Sequence, residues 1–437
     1  MAPARIVSMS TAGTVQGLEL QISIEDSEPL IWRRLHLPET LSIDRFHLAV
    51  QAAFGWESRH LYGVRGMDRA GRERRIVGVD DEAEDLQAEP ASTVVLSELL
   101  NPQKPGTSFD YDYDFGDSWP HRVELVGAAE LQPGEMLCVE GARRGAIEDS
   151  GGPHGYRQLL EAVQDPSHPD HREATSWAYD MTGLYGHRFD PSAFDLHAAN
   201  RKLRTLSLQW WPQPLGDPER DGVLRPVRWL LQEASGDGVE LTKDGYLKPA
   251  LVKRAMEELG WADATVGKGN RETNARQVAE LRQHLMDWKL LSKRKDRLVL
   301  SPRGRRGLER PEELWDYVVD QIARPQHPGV YLVTLLRAHW HLTGIEPPYA
   351  FQAENIGEDL RMAGMVTRSG DPIPEEWAAD INRTVRWTLE CLHLTEPARD
   401  FMAPPLLTDG GVKFFLDVVD RARTFPPAGL RAAQYFP

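Results

Sequence analysis

The sequence predicts an α+β protein: an N-terminal mixed domain on an antiparallel sheet, then a mainly helical C-terminal half resembling winged helices. Three observations carry this. Aromatics and aspartates alternate with period two from Phe109 to Phe115. Strand-like segments predominate up to residue 130 and helix-like segments follow them, the order of an α+β fold. Beyond residue 222 the apolar spacing turns helical and is broken by one short hairpin with a basic tip.

In a strand, successive side chains point to opposite faces. Phe109, Tyr111, Tyr113 and Phe115 are therefore expected on one packed face, and Asp110, Asp112 and Asp114 on an acidic one. Gly116-Asp117-Ser118 reads as a tight turn and residues 122–126 as the returning strand, with Trp119 and His121 just past the tip. Before this hairpin, residues 18–24 and 30–37 read as strands around a turn at 25–29. Ser42 is a fitting N-cap for a helix over 43–54, with Phe46, Val50 and Phe54 on one face and Gly55 at its end. Residues 61–65 and 74–79 read as further strands, and 80–89 as an acidic loop. Helices are expected at 156–163, 171–179 and 191–203, closing a domain over 1–205.

Residues 206–222, with two Trp and three Pro, read as a linker or docking segment. Helices follow at 223–234, 247–259 and 274–288, then a hairpin whose turn is Lys293-Arg294-Lys295-Asp296-Arg297. Three helices and a basic-tipped hairpin outline a winged helix over 223–320. Residues 321–437 echo it. Leu281-Arg282-x-x-Leu285-x-x-Trp288 aligns with Val385-Arg386-x-x-Leu389-x-x-Leu392, and Ser301-Pro302-x-Gly304 with Thr408-Asp409-x-Gly411. This suggests a degenerate second copy without the basic tip.

The net charge of −15 is unevenly spread: −16 over residues 1–200, +8 over 201–308 and −7 over 309–437. An acidic first domain repels nucleic acid, whereas the middle segment attracts it. Cys138 and Cys391 lie far apart, which does not suggest a disulfide framework. No apolar run approaches the ~20 residues of a membrane span, and residues 1–17 lack a signal-type apolar segment. The chain reads as cytoplasmic and bacterial, without a membrane partner.

Asp114-Phe115-Gly116-Asp117-x-Trp119-x-His121 resembles the signature of the plasmid pRi Orf-three-like family, which includes insertion-element passenger proteins. Two further blocks strengthen the resemblance. One runs from Cys138 through Gly145 and Glu148-Asp149-Ser150-Gly151-Gly152 to Gly155-Tyr156. The other is Asp165-Pro166-x-His168-Pro169-x-His171 with Phe189-Asp190-Pro191-x-x-Phe194-Asp195. The chain departs from the family at Ala146-Ile147, where prolines are common, and at Ser150, where a second Cys is common. The resemblance covers roughly residues 15–205 and implies a mixed α+β fold rather than a reaction.

Function is therefore weighed on the residues. The leading expectation is a non-enzymatic protein, akin to plasmid and mobile-element accessory proteins, that binds nucleic acid or a protein partner. The basic residues expected at a nucleic acid are Arg276, Arg282, Lys293, Arg294, Lys295, Arg297, Arg303, Arg305 and Arg306. The alternative is a metal-dependent hydrolase on the 112–121 hairpin, using Asp114, Asp117 and His121 with Glu148 and Asp149. Aspartates two apart on a strand lie about 6.5–7 Å apart, too far to share one ion unassisted. No cofactor and no metal is expected, and Asp117 and Trp119 are read as structural. His168-Pro169-Asp170-His171 is read as a helix start, and Cys138 as a small core residue.

Overall fold

The computed structural model describes residues 13–78, 87–182, 189–262, 271–347, 349–397 and 405–424. Most of the expected acidic loop at 80–89 lies outside the described residues. Two compact units divide the chain, Met1–Trp211 and Pro212–Pro437.

The first unit is an eight-stranded sheet with helices on one face. Its strands are β1 (Val15–Ile24), β2 (Ile31–Pro38), β3 (Tyr62–Met67), β4 (Glu73–Val77), β5 (Glu89–Pro90), β6 (Ser108–Tyr113), β7 (Trp119–Leu131) and β8 (Leu137–Ala142). The order is β5-β4-β3-β6-β7-β1-β2-β8. Every pairing is antiparallel except β4 with β5. Helix α1 (Ile43–Phe54) begins after Ser42 and ends at Gly55 in the left-handed region, φ 82°, as the sequence predicts. A short α2 (Leu96–Leu99) follows β5. Helices α3 (Gly152–Gln164), α4 (His171–Thr182) and α5 (Leu196–Trp210) complete the unit.

The period-two pattern explains the sheet's two faces. Leu18, Leu20, Ile22 and Ile24 of β1, Phe109, Tyr111 and Tyr113 of β6, and Trp119, His121, Val123 and Leu125 of β7 are all buried. Phe46 of α1 meets this face, edge-on to Phe109 at 5.5 Å and to Tyr111 at 5.9 Å. On the other face, Asp110 is paired with Arg122 at 2.8 Å and Asp112 with Arg65 at 3.1 Å. These two aspartates are balanced across strands rather than gathered around an ion. The alternation stops at Tyr113. Phe115 is 53% exposed rather than on the packed face, because Asp114 takes a left-handed φ of 59° and turns the chain.

The C-terminal blocks of this unit also serve the core. Arg33, almost fully buried, donates to the carbonyls of Ala53 at 2.8 Å and Ala142 at 3.0 Å. Its guanidinium lies 4.0 Å from the Phe194 ring centroid and 4.7 Å from that of Phe54. Asp195 caps α5 by accepting from the Ala198 N–H at 2.9 Å, so the helix expected at 191–203 starts at Leu196. It also runs on to Trp210, into the segment read as a linker, and the next helix starts at Asp217. Trp210 and Trp211 are held by the Arg45 guanidinium, at 5.3 and 5.6 Å.

The second unit begins with helix α6 (Asp217–Glu233), strand β9 (Val239–Glu240), helices α7 (Pro249–Glu258) and α8 (Arg276–Asp287), and hairpin β10 (Leu291–Arg294) and β11 (Arg297–Leu300). The sheet order is β10-β11-β9. Val278, Leu281 and Leu285 are the buried stripe of α8, as their helical spacing predicts. Helices α9 (Pro302–Glu309), α10 (Pro311–Ala323), α11 (Pro328–Thr343), α12 (Tyr349–Met362), α13 (Glu375–Glu390) and α14 (Asp409–Thr424) follow. Among the described residues no helix is long and apolar enough to cross a membrane.

Local geometry recurs where the sequence echoes itself. The Ser301 N–H donates to the Leu290 carbonyl at 3.1 Å, and the Ser301 hydroxyl accepts from the Gly304 N–H at 2.9 Å. Correspondingly, the Thr408 N–H donates to the Leu394 carbonyl at 3.0 Å and its hydroxyl accepts from the Gly411 N–H at 2.9 Å. A Cβ on Gly304 would stand 2.2 Å from the Leu290 oxygen, and one on Gly411 2.0 Å from the Leu394 oxygen. The same cap and the same close approach start α9 and α14.

Candidate functional site

Three segments of the first unit meet at one end of the sheet: the loop after α1, the β6–β7 tip, and the stretch before α3. Hydrogen bonds bind them. The Trp56 indole donates to the Ala146 carbonyl at 2.7 Å, the Glu57 N–H to the Glu148 carboxylate at 2.7 Å, and the Arg59 N–H to the Tyr113 hydroxyl at 3.0 Å. Tyr113 donates in turn to Glu148. The Gly151 N–H donates to Asp117 at 2.7 Å. Gly152 has φ 67°, and a Cβ there would stand 2.3 Å from the Asp117 carbonyl oxygen, so a larger residue would part the tip from the loop.

Of the acidic residues weighed from the sequence, Asp114 and Asp149 come together. The third group beside them is His60, which the sequence reading missed. His60 Nε2 lies 3.0 Å from Asp149 Oδ1 and 3.7 Å from Asp114 Oδ2. One ligand atom from each residue lies within 4.8 Å of the other two. Asp114 is 6% exposed and its Oδ1 accepts from the Gly116 N–H at 2.9 Å. Asp114 and Asp149 both have left-handed backbones, φ 59° and 60°. A histidine two residues before a strand that pairs with β6 is the signal that would have found His60: Asp114's N–H donates to the Leu61 carbonyl at 2.8 Å.

The other proposed members have structural duties. His121 is wholly buried, because β7 alternation puts it opposite Tyr111 on the packed face. Its Nδ1–H donates to the Trp119 carbonyl at 2.8 Å, and its ring stands edge-on to Trp56 and Phe54. Asp117 was read as structural: Asp114 holds the turn, and Asp117 holds Gly151. Glu148 is 7% exposed, and burial raises its carboxyl above the ordinary range against the hydrogen bonds from Tyr113 and Glu57.

A second buried imidazole braces the same loop. His47 of α1 bonds the Tyr111 hydroxyl through Nδ1 and the Ser58 hydroxyl through Nε2, both at 2.7 Å, and stacks on Tyr62 at 3.8 Å. Burial, reinforced by nearby His121, depresses its pKa to about 3. Cys138 is a core thiol, pushed up to about 11 by burial, so it is not a reactive thiolate. His168 accepts from the Asp170 N–H at 3.1 Å and His171 Nδ1–H donates to the Ala162 carbonyl at 2.9 Å, consistent with a helix start.

In the second unit, five of the nine basic residues singled out are engaged internally. Arg276 pairs with Glu390 at 2.7 Å and covers Trp387. Arg282 pairs with buried Glu272 at 2.5 Å. Arg297 donates to the Asp237 and Gly238 carbonyls, Arg303 to the Tyr317 hydroxyl, and Arg306 to Glu313. Lys293, Arg294, Lys295 and Arg305 are exposed and make no ion pair among the described residues.

A family model described as plasmid pRiA4b ORF-3-like protein matches residues 16–198, which hold all but the first residue of the eight-stranded sheet, with His60, Asp114 and Asp149. The second unit lies outside that match. A Sinorhizobium fredii (strain NBRC 101917 / NGR234) relative, named uncharacterized protein y4hQ, is 32% identical over 196 residues, 44% of this chain and 93% of its own length. The crystal structure of MM3350, a protein of unknown function from Methanosarcina mazei Go1, is 29% identical and covers 41% of this chain and 96% of its own, with a TM-score of 0.37. With nearly the full length of y4hQ spanned, the chain belongs to the plasmid pRiA4b ORF-3-like family.

Proposed function

We propose that this is a cytoplasmic binding protein, related to plasmid and mobile-element accessory proteins, that takes nucleic acid on the basic hairpin of its second unit. Helix, strand, two helices and a hairpin, with sheet order β10-β11-β9, support a winged helix over 223–320. The recurring Ser301 and Thr408 caps support a degenerate second copy in 321–437. Helix α8 is not the contact surface in this reading. Its Arg276 and Arg282 are neutralised by Glu390 and Glu272, and Gln277 lies under Cys391. The observation that carries the proposal is the set of four exposed, unpaired cations at Lys293, Arg294, Lys295 and Arg305.

Such contacts act through phosphate and are weakened by salt. With four contacts, the logarithm of affinity against the logarithm of salt should fall with a slope of about −3 to −4. Nine contacts would give about −8. The full chain with Lys293→Glu, Arg294→Glu and Lys295→Glu should lose most binding and flatten that slope. The absence of any shift of duplex or single-stranded oligonucleotides at low salt would leave a protein-interaction module instead. A second reading, metal-dependent hydrolysis at the 112–121 hairpin, is favoured by one observation, the meeting of Asp114 and Asp149 with His60.

A further inference from the structure

We propose that His60, Asp114 and Asp149 form a binding site for one divalent transition-metal ion, of the zinc, cobalt or manganese class. This inference stands apart from the nucleic-acid reading, since metal and oligonucleotide binding are measured separately, and it shares its residues with the second reading without requiring hydrolysis. Tetrahedral ligands about 2.1 Å from an ion lie about 3.4 Å from one another. The His60–Asp149 and His60–Asp114 separations, 3.0 and 3.7 Å, bracket that value. The widest separation, up to 4.8 Å, closes with a small turn of exposed Asp149.

One buried atom points to a missing partner. His60 Nε2 is out of contact with solvent and makes no hydrogen bond, although Asp149 is close. Asp114, nine-tenths buried, spends Oδ1 on the turn N–H groups, while its Oδ2 lies 3.7 Å from His60 Nε2. A buried imidazole nitrogen left unmatched is costly, and a cation shared with the two carboxylates satisfies it. The surrounding bonds hold the donors in place: Gly116 and Asp117 orient Asp114, and Glu148 fixes the loop before Asp149.

The donor chemistry selects the ion. One imidazole nitrogen with two carboxylates suits zinc, cobalt or manganese, whereas calcium and magnesium favour sets made wholly of oxygen. Two carboxylates balance a divalent charge. Asp149 is 45% exposed on its side chain and His60 28%, so a bound ion retains positions open to water.

The test uses the full chain, stripped with a chelator and titrated with Zn²⁺ and then Co²⁺ at pH 7.5. One ion per chain is expected, with visible Co²⁺ absorption of a nitrogen–oxygen site. His60→Ala and Asp149→Asn should each weaken Zn²⁺ by more than about a hundredfold, beyond what loss of an outer partner costs. Asp149 is exposed, so its variant should fold normally, checked by circular dichroism. His154→Ala, at an exposed histidine of α3, should bind like the parent. Asp114 is not varied, because it also holds the turn. No stoichiometric binding would overturn the proposal. Equal binding in parent, His60→Ala and Asp149→Asn would overturn it too.

Discussion

Trp119→Ala is expected to destabilise the first unit by about 3–5 kcal/mol, the usual cost of truncating a buried large aromatic. The indole is wholly buried at the start of β7. It packs against Trp56, 5.8 Å away between centroids, and Tyr156 of α3, 6.2 Å away. It therefore joins sheet, loop and helix at the end where His60, Asp114 and Asp149 meet. Residue 119 follows Ser118, whose left-handed φ of 59° sets the direction of the returning strand. A loss of this size should lower the melting temperature by roughly 6–20 °C for a unit of this length. Trp119→Phe should cost much less, because the indole Nε1 makes no hydrogen bond that a phenyl ring would forfeit. Thermal unfolding unchanged in Trp119→Ala would contradict the role given to the hairpin.

Mild acid should unfold this unit early, and two histidines set the window. Burial, with His121 acting on His47, depresses His47 to about 3, and burial depresses His121 to about 4. In the unfolded chain both titrate near 6.5. The folded values lie below the unfolded ones, so the unfolded chain takes up protons first. The stability these neutral rings contribute is fully present above about pH 6.5 and is lost as pH falls toward 4 and then 3. Each ring contributes a slope of about 1.4 kcal/mol per pH unit, and together they remove about 3 kcal/mol between pH 6.5 and 5. Ordinary carboxylates titrate mostly below this window. Urea midpoints recorded from pH 7 to 5 should fall steadily, and His121→Gln should remove about half of the slope. A flat midpoint in the parent would refute the assignment.

Much of the architecture was legible because its signals are local. Period two in 109–113 set both faces of β6, and Trp119, just past its tip, was read as structural. Helix α1 was readable at both ends, from Ser42 and Gly55. Helical spacing placed Val278, Leu281 and Leu285 inward on α8. The three blocks of the resemblance led to the family, and the structure shows why some of those residues are there. Phe194 covers Arg33, Asp195 caps α5, and Gly152 lets the loop approach Asp117.

The site was legible only in part, and the reason is that it is made of strand ends and loops. Parity puts Asp114 with Asp110 and Asp112, but a left-handed backbone turns it out of that series and into a buried position. Parity applied correctly to β7 would have removed His121, since residues 119, 121 and 123 must share the packed face. Nothing local links His60 to Asp149, 89 positions later; only the pairing of β3 with β6 and the bonds from Glu57 and Gly151 bring them together. The same limit governs the basic residues. Their number and spacing belong to the sequence, and so do the fold class and the family. Which of them remain free to meet a partner was decided by tertiary contacts, because an arginine that finds Glu272 or Glu390 within the fold has already satisfied its charge.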